Sequence, residues 1–524
     1  MGSKRNLPET EQRSFSFVEF MSEQEGRPGA EDRKTPPNFH NPDPERIFLG
    51  DVPLRKYLHQ NGLAWVIRLR ELISQSDWVP FMGAYTGRGR KAFHPSMLIG
   101  LIVYGMLQRQ WSLRDLERLA VRDVGAWWIC GGMQPDHTTI CKFINMHAEL
   151  LTEQYFVSLT KMLVKALKLS VSDVAGDGTV TEAYGSRFKN LKAEALRQAA
   201  QEAGEKAKQN PEDEQAAGKA EQTERAAEVA EQRQKNAEEK GRKEHSVKVC
   251  LTEPDAMVQP LKNKARRPSY KPSVLANKDR LIVGQGLDAS NESAVVKPML
   301  DQHERIFNTH PTGLYLDAGY NNVEILAMAV ALDLDVLVPA QQEDGARSGK
   351  RSSTKESFSK KEFRYDENTD TYLCPAGNRL HKTGGIQVQK GRRLQRYQCH
   401  QVEECPYREQ CTTSKKGRTI MRYEDDGLKE AMRKVLEHPR AKAKSRQRKG
   451  MVEPVFSVLR DRQGLRKFHR RGLNKVKMEF ALHCIAYNLG RAILLERRSK
   501  LLFMQLFCCP SHGKHVVLVL LWII

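Results

Sequence analysis

Three acidic residues stand in settings that one kind of chemistry would use: Asp177 in AGDGTV, Asp317 in GLYLDAGYNN and Glu453 in RQRKGMVEPVFSVLR. The first two settings read as strand ends and the third as a helix, so folding could gather three carboxylates around divalent cations. Two such cations about 4 Å apart activate an attacking oxygen and stabilise a leaving oxygen during phosphodiester cleavage. Mg²⁺ suits this set, because it takes oxygen ligands and keeps several waters, so a few Asp or Glu residues suffice. Each carboxylate also has a plainer reading. Asp177 could be a turn residue before Gly178, Asp317 a helix N-cap, and Glu453 an ion-pair partner on a helix surface. Those readings leave the motifs around all three positions unexplained.

The flanking segments say what would position them. LSVSDVAGD leads into Asp177 as a strand, and 269–277 (SYKPSVLAN) and 280–290 (RLIVGQGLDAS) follow as two more. TGLYLDAGY runs through NVEILAMAVALD into LDVLVPA as strand, helix, strand, with Asp317 at the carboxyl end of the first strand. In open α/β sheets that edge is where ligands bind. Gly178 and Gly319 permit the tight turns needed there.

From Pro44 to about Leu169 the pattern is helical. HPSMLIGLIVYGMLQRQ is an apolar helix opened by Pro95, SLRDLERLAVRD begins with Ser112 facing Asp115 as a short capping box, and PDHTTICKF offers Asp136 or Thr138 as an N-cap. Between 188 and 244 the composition turns to Ala, Glu, Gln, Lys and Arg. Thirteen basic and thirteen acidic residues between Arg187 and Glu244 cancel, which predicts a long exposed helix or helical pair, with Pro211 starting the second helix. Large apolar residues are almost absent from it, so a heptad coiled coil is disfavoured. Residues 1–43, polar and rich in Pro, Gly and charge, are predicted to be disordered. The final VVLVLLWII is far shorter than the roughly 20 residues that cross a bilayer, so no membrane anchor is expected.

Charge narrows the partner. The chain of 524 residues carries a formal charge of +21, which favours a polyanion. Residues 440–477 hold fourteen Lys or Arg against only Glu453 and Asp461, a setting suited to phosphate. The N-terminus lacks the apolar run of a secretory signal, which predicts a cytoplasmic protein. Its ten cysteines are then thiols or metal ligands rather than disulfides. Cys374, Cys399, Cys405 and Cys411 fall in one Arg- and Lys-rich stretch and could hold one structural Zn²⁺, with His381 or His400 as substitutes for a ligand. Their spacing is looser than two CxxC pairs, and unligated thiols in a small core are the alternative.

With these residues laid out, the chain resembles the DDE transposases of bacterial insertion sequences, in the broad group that includes the InsH-like enzymes. The likeness rests on DGT, on LDAGY, and on VEPVF followed by RKFHRRGLNKVKMEFALHCIAYNLGRAI; RQWSLRDLERLAVRD and PDHTTICKF are similar to the family's N-terminal segment. It spans roughly Pro44 to Leu495. The resemblance implies an α/β fold, an RNase H-like mixed sheet flanked by helices. It implies an all-α N-terminal domain at 44–169 that binds DNA ends, then a catalytic domain at 170–498. That domain would be interrupted by the charged helical insertion 188–244 and a small Cys-rich insertion at 370–415, and followed by an atypical apolar tail at 499–524.

The resemblance also implies a catalytic triad of Asp177, Asp317 and Glu453 that holds two Mg²⁺ ions, with Mn²⁺ as a substitute. The implied activity is cleavage of double-stranded DNA at the element's terminal inverted repeats and strand transfer into target DNA by a homodimer, in the cytoplasm on the nucleoid. Related enzymes often carry Tyr and Arg before the Glu and Lys after it. This chain has Arg446, Lys449 and Arg460 at those positions, so charge is kept at the last two and the aromatic is missing. Together with Arg470, Arg471 and Lys475 these are the expected DNA-phosphate contacts. Two other readings stay open: a non-catalytic DNA-binding derivative, and a nuclease of the same fold that cuts without joining.

Overall fold

The computed structural model describes residues 37–85, 90–239, 247–261, 264–339, 358–389, 392–412 and 414–507, with side chains to 498. The expectations for residues 1–36 and for the apolar run at 508–524 lie outside the described residues.

The amino-terminal part is a set of helices: α1 (Leu54–Gln60), α2 (Ala64–Ser74), α3 (Pro95–Leu107), α4 (Leu113–Arg122), α5 (Val124–Cys130), α6 (His137–Met146) and α7 (Tyr155–Ala166). Their starts follow local chemistry. Pro95 sits in the first turn of α3, where its missing N–H costs nothing. Ser112 Oγ accepts the Asp115 N–H at 3.1 Å. Asp136, not Thr138, caps α6, its Oδ1 accepting the Thr139 N–H at 2.6 Å. α3 is apolar on every face and is accordingly buried all round. Residues 37–43 depart from the disorder expected of them: Phe39 pairs with Ala92 and sets its ring 5.1 Å from both Tyr85 and His94. These aromatic contacts anchor the chain ahead of Pro44.

A mixed seven-stranded sheet follows. It comprises β1 (Val174–Gly178), β2 (Thr181–Glu182), β3 (Met257–Pro260), β4 (Arg266–Asn277), β5 (Ile282–Asp288), β6 (Leu314–Tyr315) and β7 (Val336–Leu337). β4 is antiparallel to β1 and β5, whereas β6 is parallel to both β1 and β7, so the order across the sheet runs β5, β4, β1, β6, β7. β2 and β3 extend it along the amino-terminal half of β4. One face, through Val174, Leu275, Leu314 and Leu316, packs with α10 (Val296–Phe307) and α11 (Val323–Ala331).

The other face, through Ala175, Val274 and Tyr315, joins a larger core shared with the amino-terminal helices and two carboxyl-terminal ones. Those are α13 (Pro439–Ser457), preceded by α12 (Asp426–Glu437), and the long α14 (Leu473–Phe507). The buried Asn488 of α14 donates to the Ile282 carbonyl and to Thr160 Oγ1 and accepts the Ile282 N–H, tying α14 to β5 and α7. Arg68 of α2 makes a two-pronged ion pair with Glu496, both bonds at 2.8 Å. The helices and the sheet therefore share one apolar interior.

Two excursions leave this body. α8 (Ala193–Gln209) and α9 (Glu214–Glu239) form a hairpin packed through Ala193, Leu196, Ala226, Ala227 and Ala230. Small residues let the two helices approach closely without a heptad seam. The second helix starts later than Pro211, because Pro211 and Glu212 form the turn and Asp213 accepts the N–H groups of Gln215 and Ala216 at 2.9 and 3.2 Å. The second excursion is an antiparallel five-stranded sheet, β8 (Arg364–Asp366), β9 (Thr371–Leu373), β10 (Arg379–Gln389), β11 (Arg392–Cys399) and β12 (Thr419–Tyr423). It has its own small core of Phe363, Tyr372, Leu380, Tyr397 and Ile420. Among the described residues no helix is long and apolar enough to cross a membrane.

Candidate active site

Strand register brings two of the three acids together. β6 runs parallel to β1 with Leu314 opposite Val174 and Tyr315 opposite Ala175. Carried two residues further, that register sets Asp317 level with Asp177. Side chains alternate along a strand, so both carboxylates leave the sheet on the side of Ala175 and Tyr315, the side that α13 covers. Asp177 Oδ1 accepts the Gly178 N–H at 2.9 Å, and Asp317 Oδ1 accepts the Gly319 N–H at 2.8 Å. Asp317 thus does cap a short 3₁₀ turn, Ala318–Tyr320. Its Oδ2 has no hydrogen-bond partner among the described residues.

Burial pushes the Asp177 carboxyl above its ordinary value. The Arg448 guanidinium pulls the other way, and the charges of Asp317 and Glu292 add to the rise. Arg448 stands on α13 with Nη1 3.6 Å from Asp177 Oδ2. The third expected acid, Glu453, lies further along the same helix. Five residues separate it from Arg448, about 7.5 Å along the axis and roughly 140° around it. Met451, Val452, Val455 and Phe456 are buried while Glu453 is exposed, without a hydrogen bond or ion pair to any described residue. Pro454 beside it supplies no N–H to the Gly450 carbonyl, which instead accepts Arg280 Nε at 3.1 Å.

Glu292, which sequence reasoning passed over, opens the 3₁₀ turn after β5 and pairs with Lys271 at 3.4 Å. Near the carboxylates, Thr179 Oγ1 and Arg448 Nη1 are buried without a hydrogen bond among the described residues, and the buried hydroxyls of Ser273 and Tyr320 lie against each other. The signals for the missed residues were weak. Arg448 precedes the buried Val452 by one helical turn, and Glu292 follows Asp288 at a strand's carboxyl end. Among the described residues, no three His, Cys, Asp or Glu side chains stand in metal-holding arrangement.

The basic residues disperse. Arg446, Lys449 and Lys475 are exposed, whereas Arg460 is half-buried, its Nε donating to the Phe456 carbonyl at 3.3 Å. Arg471 donates to the Tyr184 carbonyl at 3.2 Å and stacks its guanidinium 4.9 Å from that ring, beside Lys467 at 5.2 Å. Arg470 turns inward, and burial lowers its pKa against the pull of Glu479. The amino-terminal helices reach this basic segment directly: Trp111 Nε1 donates to His469 Nε2 at 2.9 Å, and Arg109 Nε to the Arg462 carbonyl at 3.0 Å.

Cys374, Cys399, Cys405 and Cys411 line one cavity of about 30 Å³ in the five-stranded lobe. Burial raises the thiol pKa values of Cys399 and Cys411, and the other thiols of the group raise them further.

Two family descriptions match the chain on either side of the central sheet. One, a Transposase DDE domain, covers residues 373–493. The other, a Transposase domain (DUF772), covers residues 58–146. In both segments the chain is similar to transposases. No curated protein matches it. The first match takes in the four cysteines, the basic segment and Glu453; the second takes in the end of α1 and all of α2 to α6. Asp177 and Asp317 lie in the stretch between the two matches.

Proposed function

We propose that this protein is a transposase that cuts DNA at the ends of an insertion sequence and joins the freed ends to target DNA, using Asp177, Asp317 and Glu453 with divalent cations. The observation that carries the reading is the level pairing of Asp177 and Asp317 on adjacent parallel strands. The strand order β5, β4, β1, β6, β7, three antiparallel and two parallel, supports an RNase H-like catalytic domain at 170–498, with the α8–α9 hairpin and the Cys-rich lobe as insertions. The helices of 44–169 form the domain proposed to bind DNA ends, and two copies acting as a homodimer would hold two ends together.

The residues present fit a divalent cation. Mg²⁺ takes carboxylate and neutral oxygen donors, and here the charges of Asp177 and Asp317 bear on the buried Tyr320 hydroxyl beside Ser273. Asp177 and Asp317 would hold the ions, and Glu453, on the helix crossing the same face, would complete the set. When bound, Mg²⁺ or Mn²⁺ supplies activation of an oxygen nucleophile and stabilisation of the leaving oxygen. The chain's own residues do the rest. Exposed Arg446, Lys449 and Lys475 attract the phosphates and Arg471 fixes register beside Tyr184. Asp317, capped on one oxygen by Gly319, is held in one orientation. The four cysteines of the lobe, facing one small cavity, suit a structural Zn²⁺.

The test is cleavage and strand transfer on labelled DNA carrying the element's own ends, with Mg²⁺. Nicked and joined products in the wild type, lost in Asp317→Ala and in Glu453→Gln, are expected. End binding without chemistry in every protein would replace the reading by a DNA-binding derivative, and cutting without joining by a nuclease.

A further inference from the structure

We propose that Glu292 is a further carboxylate of the divalent-cation site, reaching the end of β1 through the opening that Gly178 leaves. The inference rests on the active-site reading above and adds a residue to it. Gly178 pairs with Ser273 across β1 and β4 and, by strand alternation, faces away from Asp177. A Cβ built on Gly178 would stand 2.9 Å from both the Glu292 Cδ and the Ser273 Oγ. The missing side chain is what lets the Glu292 carboxylate and Ser273 approach the end of β1 this closely.

Polar groups surround the opening. Ser273 and Tyr320 are fully buried, and their hydroxyls lie against each other. The charges of Glu292, Asp177 and Asp317 all bear on the Tyr320 hydroxyl, whose pKa burial and these charges raise. Three carboxylates thus converge on this hydroxyl pair, opposed among the described residues by Arg448 at Asp177 and Lys271 at Glu292. Among the described residues Glu292 pairs with Lys271, and both side chains keep about a quarter of their surface exposed, so the carboxylate has room to turn. Its place is fixed by the fold: Asp288 accepts the N–H groups of Ser290 and Asn291 at the end of β5, and Asn291 then caps the turn that Glu292 opens.

The probe is Mn²⁺ alone, titrated into the full-length protein without DNA and followed by the loss of the free-ion paramagnetic resonance signal. Glu292→Gln is expected to weaken Mn²⁺ binding about ten-fold or more. Glu292→Asp, which keeps the charge and shortens the reach, should fall between it and the wild type, and Lys271→Met should bind at least as tightly as the wild type. Asp317→Asn should abolish binding. Wild-type affinity in Glu292→Gln, with binding lost in Asp317→Asn, would sink this inference and leave the active-site reading standing. Wild-type affinity in Asp317→Asn, or no binding by the wild type, would overturn both. A loss of melting temperature shared by Glu292→Gln and Lys271→Met, with Mn²⁺ affinity unchanged in each, would make Glu292 an ion-pair partner only.

Discussion

The Arg448 guanidinium stands 3.6 Å from the Asp177 carboxylate, where a cation would otherwise sit. Two unit charges at this range interact by about 4 kcal/mol at an effective dielectric of 20, so a guanidinium here opposes a divalent ion. Removing it relieves that repulsion, since among the described residues Arg448 makes no hydrogen bond through Nη1. Arg448→Gln is therefore expected to bind Mn²⁺ several-fold more tightly than the wild type in the absence of DNA. Weaker binding by the variant would mean that Arg448 organises the site instead of competing for it.

The start of α14 depends on two acids remote in sequence. Buried Glu253 accepts the Gly472 N–H at 2.8 Å and the Tyr270 hydroxyl, and Asp255 accepts the Leu473 N–H at 2.9 Å and, with both oxygens, Arg225 Nη2. Together they satisfy the first N–H groups of the helix, complement its dipole and hold the α9 hairpin against it. Glu253→Ala leaves a buried hydroxyl and a buried N–H unpaired and should cost about 3 kcal/mol. Asp255→Ala, at a more open cap, should cost about 1 kcal/mol. Urea denaturation measures both, and a Glu253→Ala protein as stable as the wild type would remove the carboxylate from this role.

The Cys-rich lobe should carry one zinc per chain as purified. Ligation would convert thiols whose burial favours the protonated form into thiolates, so metal release should be promoted by acid and by chelator. Metal analysis of the wild type against Cys405→Ser checks this. Zinc absent from wild-type protein prepared without chelator would leave the four thiols as apolar packing.

How far these features could be read from the residues depended on the range of the interaction. Local rules placed the strands at Asp177 and Asp317 and the caps at Ser112 and Asp136, because each needs only a few neighbouring residues. The helical hairpin was recognisable from composition, but its second helix starts after Asp213, since a side-chain cap outweighed the Pro signal. Packing of Phe39 among Tyr85 and His94 was invisible, because an aromatic in a polar tail has no periodicity to mark it. Arg448 beside Asp177, and Glu292 across from Gly178, arise from strand register and helix placement, which no local pattern encodes.

The lobe also carries a pH signature. Asp370 is held down to about 2 by Lys382 and by the hydroxyls of Tyr397 and Tyr365, against an ordinary value of 3.8. A folded-state pKa below the unfolded one means that the native lobe binds fewer protons. Its contribution to stability is then complete above about pH 4 and is lost as the pH falls from 3.8 through about 2. The carboxylate is partly exposed, with 38% of its side-chain surface open, so solvent screening limits the effect to about 1 kcal/mol or less. Asp370→Asn should accordingly melt below the wild type at pH 6, with the gap closing as the pH is lowered toward 2. Melting curves of the pair between those limits decide it: a gap that stays constant with pH would show that the hydroxyl contacts matter to the lobe and the charge does not.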